Sequence, residues 1–449
     1  MGQLDEKVYG KSISKIEAIF DAGTFVELGA YTKRLGSQKD FEGVVCGYGS
    51  VNGKLAFAFV QDSERTKGAF GERHAKKICD MYALAVKNGA PVIGVFDSAG
   101  AIVYDGASAL AAYGRVMKCV SDASGVIPQI AVVDGVCMGM SATLACMFDL
   151  TVTIKGVSKL SVSSAFALGK AADTAFLSAI DAENSGAAYA SVRELVALLP
   201  QNNADAAIVE STDTLDRESA FDPEKYTAEE LAAVISDRES FVRLYAGYTS
   251  ACLGFATFGG VVAGIVAVTA ELDIKSARAI SKLVSFCDGF GIPVVTLVDS
   301  CGLVVSPEAE QNAYASELAR LAYAYTSADN ARVTAIIGKA YGAAFTLLGS
   351  KAVGADMVYA LPSACVSVLS PEASVAFVWN DKVGEGKTRE EVEAEWKQTF
   401  GSSADACEKG EIDDIVEPSE LRKRICASLM MLASKAEGKP ARRHANMPL

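Results

Sequence analysis

Histidine is scarce in this chain: two residues in 449, His74 and His444. No H-E-x-x-H, no P-loop ending in G-K-[ST] and no G-x-S-x-G occurs. A His-ligated metal centre or a Ser–His hydrolase is therefore not expected. His74 stands in a charged stretch, GERHAKK, and reads as part of a solvated helix face. Basic residues are outnumbered, 42 Lys+Arg against 55 Asp+Glu, for a net charge of −13. An acidic chain without a basic stripe is a poor nucleic-acid binder, so no nucleic-acid partner is expected. An anion can still be held locally by loop N–H groups. The 11 cysteines include no C-x-x-C. Cys46, Cys137 and Cys287 lie inside apolar runs, which suits reduced core thiols in a cytoplasmic protein. The opening MGQLDEKVYG is charged and has no apolar core, so no signal peptide is expected. Residues 244–270 carry no charge and could span a bilayer by length. Gly259-Gly260 splits them into two strand-length halves, a hairpin signal, so the reading is a soluble α/β protein.

What is present is a repeat. Residues 74–100 (HAKKICDMYALAVKNGAPVIGVFDSAG) are answered by residues 276–302 (SARAISKLVSFCDGFGIPVVTLVDSCG). QIAVVDGVCMGM (129–140) is answered by RVTAIIGKAYGA (332–343). Two similar units point to duplication, with ligands at the loops that end the apolar runs. The polar stretch 200–226 reads as a linker, giving two domains, 1–226 and 227–449.

Each unit has the same predicted order. In the first, a helix ends at Gly23 and a strand follows. A hairpin over 44–60 turns at Asn52-Gly53. Then come a helix over 72–88 with Ile78, Met81, Tyr82 and Ala85 on one face, a strand at 91–96, a helix at 108–121, and strands at 127–133 and 148–154. In the second, Thr227 with Glu230 forms a capping box. After the hairpin come a helix at 276–290, strands at 293–298, 332–337 and 356–360, and helices at 308–326 and 341–349. Late helices are expected at 388–398 and 417–435. Strands alternating with helices predict parallel sheets with antiparallel edges.

The candidate chemistry lies in four loops. CMGMSA (137–142) and AYGAAF (340–345) are turns of small residues that open helices. Each presents adjacent main-chain N–H groups suited to an oxyanion such as a thioester enolate. Small residues let a ligand approach the backbone. Beside them lie DSAGA (97–101) and DSCGL (299–303). No general base is evident, which fits chemistry in which a cofactor supplies the reactive nitrogen.

GAPVIGVFDSAG, SGVIPQI (124–130), KAYGAAF (339–345) and GSKAVGAD (349–356) together resemble the carboxyltransferase subunit of biotin-dependent acyl-CoA carboxylases and decarboxylases. The resemblance covers nearly the whole chain. It implies two tandem crotonase-like (ClpP/crotonase) ββα-superhelix domains. It implies transfer of CO2 between carboxybiotin, on a separate carrier protein, and the α-carbon of a short acyl-CoA. It places the acyl-CoA in the first unit, its thioester oxygen on the amides of Gly139 and Met140, near Ser98, Ala99 and Gly100. It places carboxybiotin in the second unit near Gly342, Ala343 and Ala344, with Cys301, Gly302 and Thr346 lining the site. The partners implied are a biotinyl carrier protein and either a biotin carboxylase or a membrane decarboxylase subunit. The assembly implied is a hexamer of stacked dimers, or a hetero-oligomer with a paralogue, with active sites completed between subunits. No metal is implied.

The chain departs from the family pattern in places. Ile102 stands where the family commonly carries Arg, Ala99 and Met140 stand at Gly positions, and Thr346 stands where relatives carry a specificity residue. A-M-K-M is absent, and Met117-Lys118 reads as helix surface. The alternatives are a non-catalytic paralogue, motivated by Ile102 and Met140, and a hydratase or thioesterase on the same fold. The hydratase would need placed carboxylates, for which Glu64 and Asp105 are the candidates.

Overall fold

The computed structural model describes residues 12–34, 40–170, 177–247, 249–384, 386–440 and 446–448. His444 and the N-terminal MGQLDEKVYG lie outside the described residues. The chain divides into two compact units, Met1–Ala207 and Ile208–Leu449.

In the first unit the strands are β1 (Val26–Leu28), β2 (Val44–Val51), β3 (Lys54–Gln61), β4 (Val92–Ser98), β5 (Gln129–Met138), β6 (Leu150–Ile154), β7 (Lys159–Ser161) and β8 (Ile180–Ala182). Among the described residues they form one sheet in the order β1-β2-β3-β4-β5-β6-β8, with β7 paired to the far end of β5. β1, β2 and β3 are antiparallel, and pairing is parallel from β3 onward. Asn52 (φ 50°) and Gly53 (φ 80°) make the β2–β3 turn left-handed at both central residues, the geometry that matches strand twist. The helix Glu72–Asn88 ends in the left-handed cap Gly89 and buries Ile78, Met81, Tyr82 and Ala85. Phe59, Phe96 and Phe148 meet edge-on in the core, with centroids 5.4–6.3 Å apart.

His74 is corrected by the fold. It is fully buried rather than solvated. Its position is one helical turn before Ile78, so it joins the buried face despite its charged neighbours. There its Nε2 lies 3.3 Å from the Gln61 amide nitrogen and its Nδ1 lies 3.7 Å from a Glu42 carboxylate oxygen.

The second unit repeats the plan with β9 (Val242–Leu244), β10 (Cys252–Phe258), β11 (Val261–Val268), β12 (Val294–Ser300), β13 (Arg332–Tyr341), β14 (Met357–Ala360), β15 (Cys365–Ser367) and β16 (Asp414–Ile415). Its order is β16-β14-β13-β12-β11-β10-β9, with β15 on the far end of β13. Within the charge-free run, Cys252–Phe258 and Val261–Val268 are the two strands of a hairpin. No helix among the described residues is long and apolar enough to cross a membrane. The capping box of Thr227 and Glu230 is formed at the helix Ala228–Ile235.

Three expectations change. The polar stretch is not a free linker from Ile208 on. Ile208 bridges Val261, Ser219 N–H donates to Ser419 O at 2.9 Å, and Arg422 donates to Thr214 O at 2.6 Å. Residues 208–226 thus belong with the second compact unit, whose start lies ahead of the expected 226/227 border. The helix expected over 308–326 is two helices, Pro307–Gln311 and Tyr314–Ser327, parted by Ala313 at φ 62°. Finally β5 and β13 run on to Met138 and Tyr341, well past the expected ends at 133 and 337. Their extensions pair with the short strands β7 and β15, which carries each chain up to its glycine turn.

Candidate active site at two strand–helix turns

The two sheets build the same local structure twice. After β5, Gly139 (φ 62°, ψ −129°) caps the helix Met140–Cys146. After β13, Gly342 (φ 54°, ψ −131°) caps the helix Ala343–Leu347. These angles are closed to side chains that carry a Cβ, so glycine is the residue that makes either turn. Gly139 N–H donates to the carbonyls of Ser161 (3.1 Å) and Val162 (3.2 Å), and Gly342 N–H to Ser367 O (2.9 Å). The short strands β7 and β15 thereby clamp each turn. Gly139 contributes its conformation, and the donors left at the first turn are those of Met140 and Ser141. At the second they are those of Ala343 and Ala344, since the first helical N–H groups have no acceptor inside their helix.

The neighbouring loops are set by strand register. Ser98 at the end of β4 pairs with Cys137, and Ser300 at the end of β12 pairs with Ala340, each just after a register shift. This brings 98–101 beside the first turn and 300–303 beside the second. Ser98 Oγ accepts from Gly100 N–H at 3.2 Å, and Ser300 Oγ from Gly302 N–H at 3.3 Å. Ala99 N–H is committed to Lys67 O at 2.9 Å. Cys301, Ala343 and Thr346 are exposed, whereas Ser98 and Ala344 are buried. Met140 is 44% exposed, so its side chain stands at the mouth of the first turn. Ile102 is half-buried and packs against Gly71, so this position brings no cation to the loop.

Sequence reading missed the residues beneath the turns. Asp97 Oδ1 accepts Val136 N–H at 3.2 Å, and Asp299 Oδ1 accepts Lys339 N–H at 2.7 Å. Lys15 lies 3.7 Å from Asp97 and 3.2 Å from Asp134, whereas Tyr226 donates to Asp299 at 2.8 Å. Burial pushes the Tyr226 hydroxyl well above its usual pKa, and its bond to Asp299 raises it further. It stays a donor at any ordinary pH. Tyr113 and Ser141 share a 2.8 Å hydrogen bond under the first turn, and burial raises Tyr113 as well. The paired Asp-Ser of the two repeats was the available signal for Asp97 and Asp299.

The two carboxylates considered for a hydratase lie on loops. Glu64 is exposed on the loop after β3, and Asp105 is half-buried in the short turn Val103–Asp105. Lys118 is exposed and paired with Asp122 at 2.7 Å, whereas Met117 is half-buried and packs against the core.

The carboxyl transferase domain model matches residues 10–447. The methylmalonyl-CoA decarboxylase subunit alpha of Veillonella parvula is 32% identical over 97% of this chain and 92% of its own length. The propionyl-CoA carboxylase beta chain of Roseobacter denitrificans is also 32% identical, over 97% of this chain and 93% of its own. A crystal structure of the transcarboxylase 12S hexamer, with methylmalonyl-CoA and methylmalonic acid bound, superposes with a TM-score of 0.89 at 27% identity, covering 99% of this chain and 95% of that one.

Proposed function

We infer the reaction from one premise: the chain belongs to the carboxyl transferase domain family. It is a biotin-dependent carboxyltransferase of the propionyl-CoA carboxylase β and methylmalonyl-CoA decarboxylase α type, built as two tandem crotonase-like domains. The proposed substrate is a short acyl-CoA, and the proposed partner is a protein that carries biotin. The observation that supports this best is the doubled turn. One amide cradle suits one oxyanion, and this reaction makes two, a thioester enolate and a urea oxygen.

The first turn takes the acyl-CoA. Met140 N–H points at the thioester oxygen and stabilises the enolate when the α-proton leaves. Ser98, Ala99 and Gly100 form the adjacent wall, fixed by the Lys67 carbonyl and the Ser98 hydroxyl.

The second turn takes the urea of biotin, and the residues fit it. A Cβ on Gly342 would lie 3.2 Å from Val368 O and crowd the cradle. The donors at Ala343 and Ala344 carry only methyl side chains. Held there by the Ala343 and Ala344 amides, biotin would supply the ring nitrogen, which carries the carboxyl group and becomes free to take the α-proton once its bond to CO2 has broken. Cys301, Gly302 and Thr346 line this side.

The two half-sites meet between copies in an oligomer, a hexamer of stacked dimers or a hetero-oligomer with a paralogue. A biotin carboxylase or a membrane decarboxylase subunit completes the system. The eleven free thiols support a cytoplasmic location.

The test is to supply the purified chain with malonyl-CoA or methylmalonyl-CoA, with and without free biotin, and to measure CO2 release. Biotin-dependent release is expected. No release alone but release with a sister chain indicates a non-catalytic paralogue, the reading that Met140 and Ile102 favour. Thioester hydrolysis or hydration without biotin indicates a hydratase or thioesterase instead.

A further inference from the structure

The two units differ beneath their turns. In the first, His74 is fully buried, with Nε2 3.3 Å from Gln61 Nε2 and Nδ1 3.7 Å from Glu42 Oε1. Gln61 Oε1 accepts the main-chain N–H of Asp97 at 3.1 Å. That bond fixes the carboxamide, because an N–H needs an acceptor. The Gln61 NH2 group therefore faces His74, a geometry that makes Nε2 the acceptor and leaves the ring proton to Nδ1, which makes no hydrogen bond and lies 3.7 Å from Glu42.

The His74 ring also lies 4.6 Å from Phe70, which stacks on Tyr113 at 4.1 Å. Phe70 N–H donates to Gly100 O at 2.8 Å, and Tyr113 reaches Ser141. Both walls of the first turn thus rest on one imidazole. The second unit is built differently at the matching positions. Ser276 stands at the matching helix position, where its hydroxyl accepts from Ser250 N–H (3.1 Å) and Ala251 N–H (3.3 Å). Val268 ends β11 where Gln61 ends β3.

We propose that His74 is a positioning residue for the first turn. Held neutral as the Nδ1–H tautomer, it fixes Gln61, which holds Asp97 and the 98–101 loop in register with Met140. An imidazolium would set two donors face to face, and turning Gln61 to relieve this would release the Asp97 N–H. Burial lowers the His74 pKa, against the opposing pull of Glu42, while Lys77 adds to the lowering. The role rests on the first turn being the acyl-CoA side.

Two measurements test this. The chain has two histidines, so [15N]imidazole labelling gives two spin systems, and His444→Gln assigns them. His74 is expected as the neutral Nδ1–H tautomer with constant shifts from pH 6 to 8. Gln61→Glu offers an acceptor and is expected to convert it to imidazolium. An Nε2–H tautomer, or titration near the ordinary value of about 6.5, overturns the proposal. In the biotin-dependent assay, His74→Phe is expected to lower kcat by roughly 10-fold or more, with KM for acyl-CoA changed by less than about 3-fold. His74→Gln can accept at the Nε2 position and is expected to recover most of the loss. Equal loss in both variants, or unchanged kcat with only a lower Tm, overturns it. A wild type without carboxyl transfer refutes the proposed function, and the tautomer measurement still decides the role of His74 in the loop.

Discussion

Asp97 Oδ1 lies 2.2 Å from where a Cβ on Gly135 would stand, and Asp299 Oδ1 lies 2.3 Å from the same point on Gly338. The two carboxylates sit against bare backbone, and each accepts the N–H of the residue that follows that glycine. Neither carboxylate can retreat without losing that bond. Gly135→Ala is expected to cost about 1–3 kcal/mol of stability through overpacking and to raise KM for acyl-CoA more than KM for free biotin. Gly338→Ala is expected to give the opposite kinetic pattern. Thermal denaturation and steady-state kinetics on the two variants check this.

Gly139 offers a cleaner separation of strain from crowding. A Cβ there would meet nothing closer than Val162 O at 4.0 Å, so space is not the obstacle. Backbone conformation is. Gly139→Ala is expected to cost about 1–3 kcal/mol, relieved by rotation of the turn, which moves Met140 N–H out of line. Activity is expected to fall by roughly 100-fold or more, the range for a lost oxyanion donor, while the fold persists by circular dichroism.

Met140 projects from the turn whose amide it supplies. Shortening its side chain leaves the N–H in place and widens the mouth. Met140→Ala is expected to raise kcat/KM for a bulkier acyl-CoA relative to malonyl-CoA. A change of one methylene in an apolar pocket is worth about 1–3 kcal/mol. Competing the two substrates in one reaction reads the ratio directly.

Acid stability of the second unit is expected to depend on Asp237. Desolvation would raise its pKa, but hydrogen bonds from Gly259 N–H, Gly260 N–H, Ser211 and Thr257 outweigh this and bring it down to about 2. Arg422, itself fully buried, donates to it at 2.5 Å. A depressed carboxylate contributes stability that is fully present above its unfolded pKa, near 4, and is lost as pH falls through about 2. At neutral pH the contribution is about 2 kcal/mol. Asp237→Asn is expected to lower stability at pH 7 and to flatten its pH dependence between 4 and 2, measured by urea denaturation across that range.

The sequence reveals what local chemistry dictates. Asn52-Gly53 and Gly259-Gly260 mark hairpins because their turns need positive φ at both central residues. Thr227 and Glu230 mark a helix start because each caps the other. The two turns at Gly139 and Gly342 were legible because a duplicated glycine after an apolar run has few other uses. What escaped was tertiary. His74 sits in a charged heptapeptide, yet its spacing to Ile78, Met81 and Ala85 places it on the apolar face. That spacing was the missed signal. Gly139 and Gly342 lose their own N–H groups to β7 and β15, strands too short to leave a pattern. Ala313 takes a left-handed conformation without any glycine or proline to announce it.

A crystal structure of the chain bound to propionyl-CoA tests the account most directly. The account predicts the thioester oxygen about 3 Å from Met140 N, within hydrogen-bond distance, with the α-carbon beside Ser98–Gly100. A thioester bound elsewhere, with the Met140 amide turned away from it, would contradict the account.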